Sequence, residues 1–140
     1  MAAFLTGCPN VGGNNLDVSA HWFNAAQPGY GYSVQVNPNY EFHAVFAYDG
    51  LGQPRFLAAE RAGAFNAAGT SLPLQQLNGF GPLGAYVPPV RTTIGTLTRT
   101  YGANTISTMA TSGTYFGGIP GTWNESASVT ALSSPQGCTP

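Results

Sequence analysis

The alternation of apolar and polar residues predicts short β-strands along most of the chain. Segment 32–36 (YSVQV) alternates cleanly, and segment 41–48 (EFHAVFAY) places Phe42 and Phe46 on one face and Glu41 and His43 on the other. Glycines and prolines, 19 and 11 in number, recur throughout and exclude long helices. The predicted strands are 18–23, 32–36, 41–48, 54–60, 71–77, 92–101, 105–109, 111–116 and 123–132.

These strands predict a single all-β domain over residues 1–140. Its fold is an antiparallel meander of seven to nine short strands, closed as a barrel or folded as a two-sheet sandwich, since either arrangement protects the edges. Residues 56–65 carry the only weak helical pattern, and 63–89 is expected to be a long loop region around strand 71–77. The threonine-rich strands bury little, so aromatic residues should form the core, with Trp22, Phe42 and Phe46 pointing inward.

Charge is scarce, and this excludes several classes of partner. Charged residues make up 6% of the chain, which has four arginines, no lysine and a net charge of −1. A nucleic-acid binder needs a basic patch to neutralise phosphates, so that class is excluded. A surface of serine, threonine, asparagine and glutamine is typical of extracellular proteins, and it resists self-association weakly. A self-assembling extracellular structural subunit is therefore one functional hypothesis.

Two cysteines, Cys8 and Cys138, lie near opposite ends of the chain. Their wide separation does not fit a zinc site, whereas a disulfide that ties the ends together would stabilise the fold and imply an oxidising compartment. The predicted localisation is secreted or periplasmic. No run of eighteen apolar residues is present, so no membrane span is predicted. Residues 1–5 are too short for a signal peptide, and a start methionine is expected to replace a removed export signal.

Candidate catalytic and metal-binding residues are few. His21 and His43 are the only histidines, and a metal site would need a third ligand from Glu41, Asp49 or Glu60. No Gly-x-Ser-x-Gly elbow is present, and no pair of carboxylates stands out as the acid and base of a glycosidase. Asp49 precedes glycine in the tight turn 49–52, where its side chain is expected to cap the backbone. No catalytic residue, metal or cofactor is predicted.

Aromatic residues are the remaining functional signal. Tyrosine and tryptophan stack on sugar rings and apolar polymers, and they also fill barrel interiors. The candidate binding residues are Tyr30, which lies between two glycines, Tyr86 in a proline-rich segment, and Trp22 and Tyr32 beside the Pro-Gly turn. His21 is a further candidate. Both interpretations, an exposed binding platform and an internal aromatic plug, stay open.

Two segments resemble a domain found in secreted bacterial proteins. WFNAAQPGYG at 22–31 and FAYDGLGQPRF at 46–56 are similar to a family pattern W-W-N-P-x-x-P-G-x-G followed by F-x-Y-D-x-x-G-x-P-x-W. Ala25 replaces the family proline and Phe56 the final tryptophan. The family occurs alone or beside extracellular enzymes and has no established catalytic residue. The resemblance therefore implies a secreted accessory β domain.

These observations favour a secreted, non-catalytic β domain that acts in binding or adhesion to a glycan or surface polymer. Two alternatives stay open: a self-assembling structural subunit that forms homo-oligomers, and a barrel that binds a small ligand in an aromatic-lined cavity.

Overall fold

All regular structure in the described part of the chain is β. The computed structural model describes residues 10–11, 14–15, 19–37, 40–62, 70–79, 83–102 and 105–132. The strands are β1 Asn10–Val11, β2 Asn14–Asn15, β3 Ala20–Phe23, β4 Gly31–Asn37, β5 Tyr40–Tyr48, β6 Pro54–Ala62, β7 Thr70–Asn78, β8 Val90–Gly102, β9 Thr105–Thr114, β10 Thr122–Ser128 and β11 Thr130–Ala131. β1 and β2 form a separate two-stranded sheet.

The main sheet is an antiparallel meander that curls into a nearly closed barrel. Each strand from β4 to β10 pairs with the strand before it. After β10 the chain passes through the buried Val129 and continues as β11, which pairs with β3 so that Thr130 lies opposite Phe23. One continuous stretch of chain therefore joins the two edges of the sheet. The all-β meander is confirmed, and its form is a barrel rather than a sandwich.

Several predicted boundaries change. The region expected to be mostly loop contains β7, a strand of nine residues. The weak helical segment 56–65 is a strand as far as residue 62. The predicted strands 105–109 and 111–116 form one continuous strand, β9. The pairing of β7 with Leu97 and its neighbours on β8 explains the first difference, because long-range pairing overrides weak local preference.

The prediction that Phe42 and Phe46 point into the core is wrong. The alternation of β5 is as expected, but its buried face is the one that carries Glu41, His43 and Val45, all fully inaccessible to solvent. The side chain of Phe46 is 51% exposed, and that of Phe42 is partly exposed. The period of two decides which residues share a face, but the partners on other strands decide which face is inside.

Buried charge partners decide the orientation of β5. Arg99 on β8 is fully buried and donates hydrogen bonds to both carboxylate oxygens of Glu41, at 2.6 and 2.9 Å. Arg61 on β6 donates a third, at 2.9 Å. Turning β5 over would leave Arg99 buried without its counter-charge, which is costly. Trp22, in contrast, lies inside as predicted, with 3% of its surface exposed.

Two glycines allow close contacts where β8, β9 and β10 pair. Gly95 and Gly113 lie opposite each other, and Gly113 lies opposite Trp123. A Cβ on Gly95 would lie 1.8 Å from the Ser112 carbonyl oxygen, and one on Gly113 would lie 3.0 Å from the Trp123 ring. The two glycines therefore let the strands approach closely and give the indole its space.

Some predictions concern residues whose structure is not described. Cys8 and Cys138 lie outside the described residues, as does the segment 1–5. Within the described ranges, no helix has the length and apolar character needed to cross a membrane.

Candidate functional site

A cavity of about 340 Å³ lies at the end of the barrel where β5 ends and β10 begins. We call it the mouth cavity. Its walls combine four aromatic residues, two carboxylate residues and small or polar groups. The lining residues are Gln27, Tyr30, Ala47, Tyr48, Asp49, Gly50, Tyr115, Gly121, Thr122, Trp123 and Glu125. Its volume falls within the range of small-molecule sites.

The buried hydroxyl of Thr111 on β9 holds two of these aromatics in place. The Trp123 indole Nε1–H donates to Thr111 Oγ1 at 3.0 Å, and the Tyr30 hydroxyl shares a hydrogen bond with the same oxygen at 2.6 Å. The Tyr32 hydroxyl donates to that of Tyr30 at 3.2 Å, and the two rings meet edge to face with centroids 5.5 Å apart. The network links β4, β9 and β10 and gives the rings fixed positions.

Burial keeps the phenols of this network protonated. Desolvation raises the pKa of Tyr30, although its hydrogen bonds with Thr111 and Tyr32 act the other way, and the negative charge of Glu125 raises the pKa further. Desolvation and the neighbouring Tyr30 raise the pKa of Tyr32 as well. Neutral phenols at these positions act as hydrogen-bond donors and as ring surfaces, so they do not add negative charge to the cavity.

We expect Thr111→Val to lower the free energy of unfolding by about 2 kcal/mol, because it leaves the Trp123 N–H and the Tyr30 hydroxyl without their shared partner at nearly unchanged volume. Urea denaturation measures this effect. Thr114→Val is the matched control, since Thr114 is exposed and its hydroxyl shares a hydrogen bond with that of the exposed Thr122. Equal losses in the two variants would contradict the role given to Thr111.

The rim of the mouth cavity is a rigid turn between β5 and β6. Asp49 caps it as predicted, accepting hydrogen bonds from the backbone N–H groups of Leu51 and Gln53 at 2.8 and 3.0 Å. Its other oxygen accepts from Arg55 Nε and Nη2 at 2.9 and 2.7 Å. Burial alone would raise the pKa of Asp49, but these hydrogen bonds and the Arg55 charge outweigh it, and the pKa is lowered. Asp49 is therefore a paired, structural carboxylate.

The same turn is tied to the loop between β9 and β10. Gly50 N donates to the Pro120 carbonyl at 2.7 Å, and the Tyr115 hydroxyl donates to the Tyr48 carbonyl at 3.0 Å. Tyr115 also packs against Trp123, with ring centroids 4.9 Å apart and planes inclined by 36°. Two aromatic walls of the cavity are thus fixed to each other and to the rim.

Glu125 differs from the other carboxylates of the site. It lies on β10 opposite Thr111, on the inward face that also carries Trp123, and it is partly buried. Among the described residues it forms no hydrogen bond or ion pair, in contrast to Asp49. The mouth cavity therefore contains a carboxylate that is available to a ligand.

The structure brings together some of the predicted binding residues but not all. Tyr30 is half-buried and lines the mouth cavity, while Tyr32 and Trp22 are buried behind it, each 3% exposed. Trp22, Tyr30 and Tyr32 also line a second cavity of about 250 Å³. The low exposure of Trp22 and Tyr32 means that they do not form an exposed platform. Tyr86 lies in the extended segment before β8 and is 73% exposed, away from the cavity walls. His21 is exposed on the outward face of β3.

Four residues of the site escaped the sequence analysis: Thr111, Tyr115, Trp123 and Glu125. Their role depends on the pairing of β9 with β10, which no local pattern reveals. One signal was present. Trp123, Glu125 and Ala127 alternate with polar residues, so Glu125 is a charged residue at an inward position of a strand. Such a break in the pattern marks a candidate site.

A second group of charged residues lies inside the barrel and has a structural role. Glu41 binds Arg61 and Arg99 as described, and His43 Nε2 lies 3.2 Å from its Oε2. Burial alone would raise the pKa of Glu41, but hydrogen bonds from His43 and Arg99 and the Arg99 charge lower it to about 2. Burial lowers the pKa of His43, whose Nδ1 has no hydrogen-bond partner among the described residues. The histidine is therefore neutral in the folded protein.

These pKa shifts predict that acid destabilises the protein in two pH ranges, one set by His43 and one by Glu41. In the unfolded chain His43 binds a proton below its ordinary pKa of 6.5, whereas the folded protein resists this protonation. In the unfolded chain Glu41 binds a proton below its ordinary pKa of 4.5. In the folded protein Glu41 stays ionised until the pH approaches about 2. Unfolding takes up protons in both ranges, so stability should fall as the pH is lowered through each. Chemical denaturation at a series of pH values measures the profile.

Two histidine variants test the pH range assigned to His43. His43→Gln should remove the loss of stability between pH 6.5 and pH 4.5, the ordinary pKa values of His43 and Glu41. The loss of stability below pH 4.5 should remain. His21→Gln, which changes an exposed histidine outside the barrel, is the matched control. A profile that responds to His21→Gln but not to His43→Gln would contradict the assignment.

The metal site considered from the sequence is not assembled. His43 contacts Glu41 inside the barrel, His21 lies outside it, and Asp49 is bound to Arg55. Within the described ranges no group of three histidine, cysteine or acidic side chains is placed to hold a metal ion. The mouth cavity is thus a site of aromatic and carboxylate chemistry.

The fold and the site define a class: an antiparallel barrel with a ligand-sized cavity at one end. No family model, curated protein or solved structure matches the chain.

Proposed function

We propose that this chain is a non-catalytic binding domain that takes one small molecule, or the terminal unit of a glycan or surface polymer, into the mouth cavity. The observation that carries the proposal is the cavity itself, with aromatic walls formed by Tyr30, Tyr115 and Trp123 and an unpaired carboxylate on Glu125. Ring faces fixed by hydrogen bonds and packing bind flat or apolar ligand surfaces without first having to be ordered.

The alternative uses of the aromatic residues have less support. Trp22 and Tyr32 line a second cavity of about 250 Å³, but each side chain is only 3% exposed and offers a ligand little surface. A catalytic role needs an acid, base or nucleophile with a partner that activates it. In the mouth cavity Asp49 is held by Arg55, and Glu125 has no such partner among the described residues.

Proton–nitrogen correlation spectra of the full chain test the proposal, because the two indole N–H groups report on different places. Titration with a panel of methyl glycosides and small ammonium compounds should shift the Trp123 signal saturably and leave the signal of the buried Trp22 in place. Tyr86→Ala is the matched control, since Tyr86 is exposed outside the cavity, and its affinities should equal those of the unmodified chain. No saturable shift with any member of the panel would refute the proposal.

A second candidate function, self-association, has one observation in its favour. The outward faces of β3, β5 and β6 carry a row of aromatic side chains, which we call the outer aromatic row: Phe23, Phe46 and Phe56. Phe46 lies opposite Phe56, and both are about half exposed. Gly31 separates Phe23 from Phe46, and a Cβ there would lie 2.8 Å from the Trp22 carbonyl oxygen. The low net charge leaves this row without electrostatic protection.

Sedimentation velocity over a range of concentrations distinguishes this second candidate. Self-association through the outer aromatic row predicts a concentration-dependent rise in mass that Phe46→Ser abolishes. Leu83→Ser removes an equally apolar but fully exposed side chain from another surface and should have no effect. A monomer at every concentration excludes the assembly hypothesis without affecting the cavity.

We further propose that the domain works in a secreted or periplasmic setting, with Cys8 bonded to Cys138. The support comes from the sequence: two widely separated cysteines, few charges and the resemblance of 22–56 to secreted accessory domains. Thiol titration of the denatured protein should find no thiol before reduction and two after it. Two thiols in protein purified from an oxidising compartment would overturn this assignment.

A further inference from the structure

Among the acidic residues that the structure describes, Glu125 is the one without an ion pair. Every arginine is paired with a carboxylate other than Glu125, and the chain has no lysine. The ion pairs are Arg55–Asp49, Arg61–Glu41, Arg99–Glu41 and Arg91–Glu60. No side chain with a permanent positive charge is therefore left to neutralise Glu125. A partly buried carboxylate gains when a cation reaches it, and here that cation must come from outside the chain.

The aromatic walls of the mouth cavity favour the same sign of charge. An aromatic ring is electron-rich on its face, so a cation held against Trp or Tyr is stabilised. The Tyr115 and Trp123 rings pack together and line the cavity with Glu125 and with Tyr30, which directly precedes β4. The influence of the Glu125 charge on the pKa of Tyr30 indicates that the two groups share one electrostatic environment.

We infer that the mouth cavity recognises a small organic cation, of the substituted or quaternary ammonium class, held between the aromatic walls and the Glu125 carboxylate. This inference rests on the proposed function and gives the chemical class of its ligand. A quaternary ammonium group presents methyl groups to the rings and a diffuse charge to the carboxylate, and it needs no hydrogen-bond acceptor from the protein. The cation can be free or can be the terminal group of a larger molecule.

Ligands of other charge fit this cavity less well. An anion would meet Glu125 and Asp49 on the walls and no unpaired positive side chain. A neutral sugar could stack on Trp123 and donate hydroxyl hydrogens to Glu125, but it would leave the carboxylate charge uncompensated. The neutral sugar is therefore the competing ligand that an experiment has to separate from the cation.

Choline and its neutral analogue, the alcohol in which carbon replaces the nitrogen, form a matched pair of probes of the same shape. Isothermal titration calorimetry on the full chain should give choline at least about tenfold higher affinity than the neutral alcohol. Glu125→Gln should remove most of that difference by weakening choline binding about tenfold, and it should leave the affinity of the alcohol unchanged. Added salt should weaken choline binding alone.

Glu60→Gln is the control for net charge, because it also removes one carboxylate but from the outside of the barrel, where Glu60 pairs with Arg91 and Tyr40. Its choline affinity should equal that of the unmodified chain. Equal affinities for choline and the alcohol, or no effect of Glu125→Gln, would overturn the inference.

The two levels of the proposal fail in different ways. If methyl α-glucoside shifts the Trp123 signal saturably while choline does not, the cationic ligand is wrong and the binding function stands. If the neutral alcohol alone binds, the cavity is an apolar site and the role of Glu125 is wrong. If no probe shifts the Trp123 signal, both the ligand class and the proposed function fall.

Discussion

Replacement of Arg99 by methionine should lower the free energy of unfolding by about 3–5 kcal/mol. Arg99 is fully buried and donates to both oxygens of Glu41, which is equally inaccessible to water. Without Arg99 the buried carboxylate keeps only Arg61 and the neutral His43 as partners. Methionine preserves much of the side-chain length and apolar contact, so the loss reports on the charge rather than on packing. Urea denaturation measures it.

The control is Arg91→Met on the outside of the barrel. Arg91 also pairs with a carboxylate, that of Glu60, but both groups are partly exposed, and such pairs contribute about 0–1 kcal/mol. Losses of the same size in Arg91→Met and Arg99→Met would contradict the importance given to the buried pair.

The double variant Glu41→Leu/Arg99→Met provides a sharper measurement. It removes both buried charges together, and Arg61 is exposed enough to reach water once its partner is gone. We expect the double variant to lose less stability than the sum of the two single variants, because each single variant leaves one charge buried and uncompensated. Strict additivity would indicate that the pair does not interact as the geometry implies.

The second large effect is expected from Gly95→Ala, which should cost about 3 kcal/mol or more and should also disturb the mouth cavity. The new methyl group would overlap the Ser112 carbonyl oxygen, so β8 and β9 would have to separate. Gly95 lies opposite Gly113 on β9, and Gly113 lies opposite Trp123 on β10, so the separation would reach the Trp123 ring. Thermal denaturation measures the stability, and the shift of the Trp123 indole signal measures the disturbance of the site.

Gly79→Ala is the matched control, because a Cβ at that position would meet Pro89 only at ordinary contact distances of 3.7 Å and more. Its stability should change by a few tenths of a kcal/mol at most. A Gly95→Ala protein as stable as Gly79→Ala would show that the strands separate there without cost.

Local pattern predicted the strands of this protein better than it predicted their orientation. In β5 the alternation correctly grouped Phe42 with Phe46 and Glu41 with His43. Which group faced inward depended on Arg99, a residue 58 positions away from Glu41 in the chain. Hydrophobicity alone favoured the phenylalanines, and a buried ion pair reversed the outcome. No pattern within one strand contains that information.

The site was predictable where it was local. Tyr30 was found because it lies between glycines in a Pro-Gly turn, in which Gly29 has a positive φ angle of 103°. Trp123 and Tyr30 share the hydroxyl of Thr111, and Glu125 lies opposite Thr111, so this part of the site depends on the pairing of β9 with β10. The sequence left barrel and sandwich open. The barrel depends on Val129, because the chain pairs with β9 before this residue and with β3 after it.

That change of partner has a consequence for how the protein is made. During synthesis β3 is among the first strands to leave the ribosome, yet its partner β11 is the last of the described strands to appear. Until then the nascent sheet has two open edges, at β3 and at the strand added last, which can pair with other chains. Pairing of residue 130 with residue 23 closes a very long loop, and contacts of such high sequence separation form slowly. Closure of the seam should therefore set the folding rate, and the nascent chain is most exposed to misassembly just before residues 122–131 emerge.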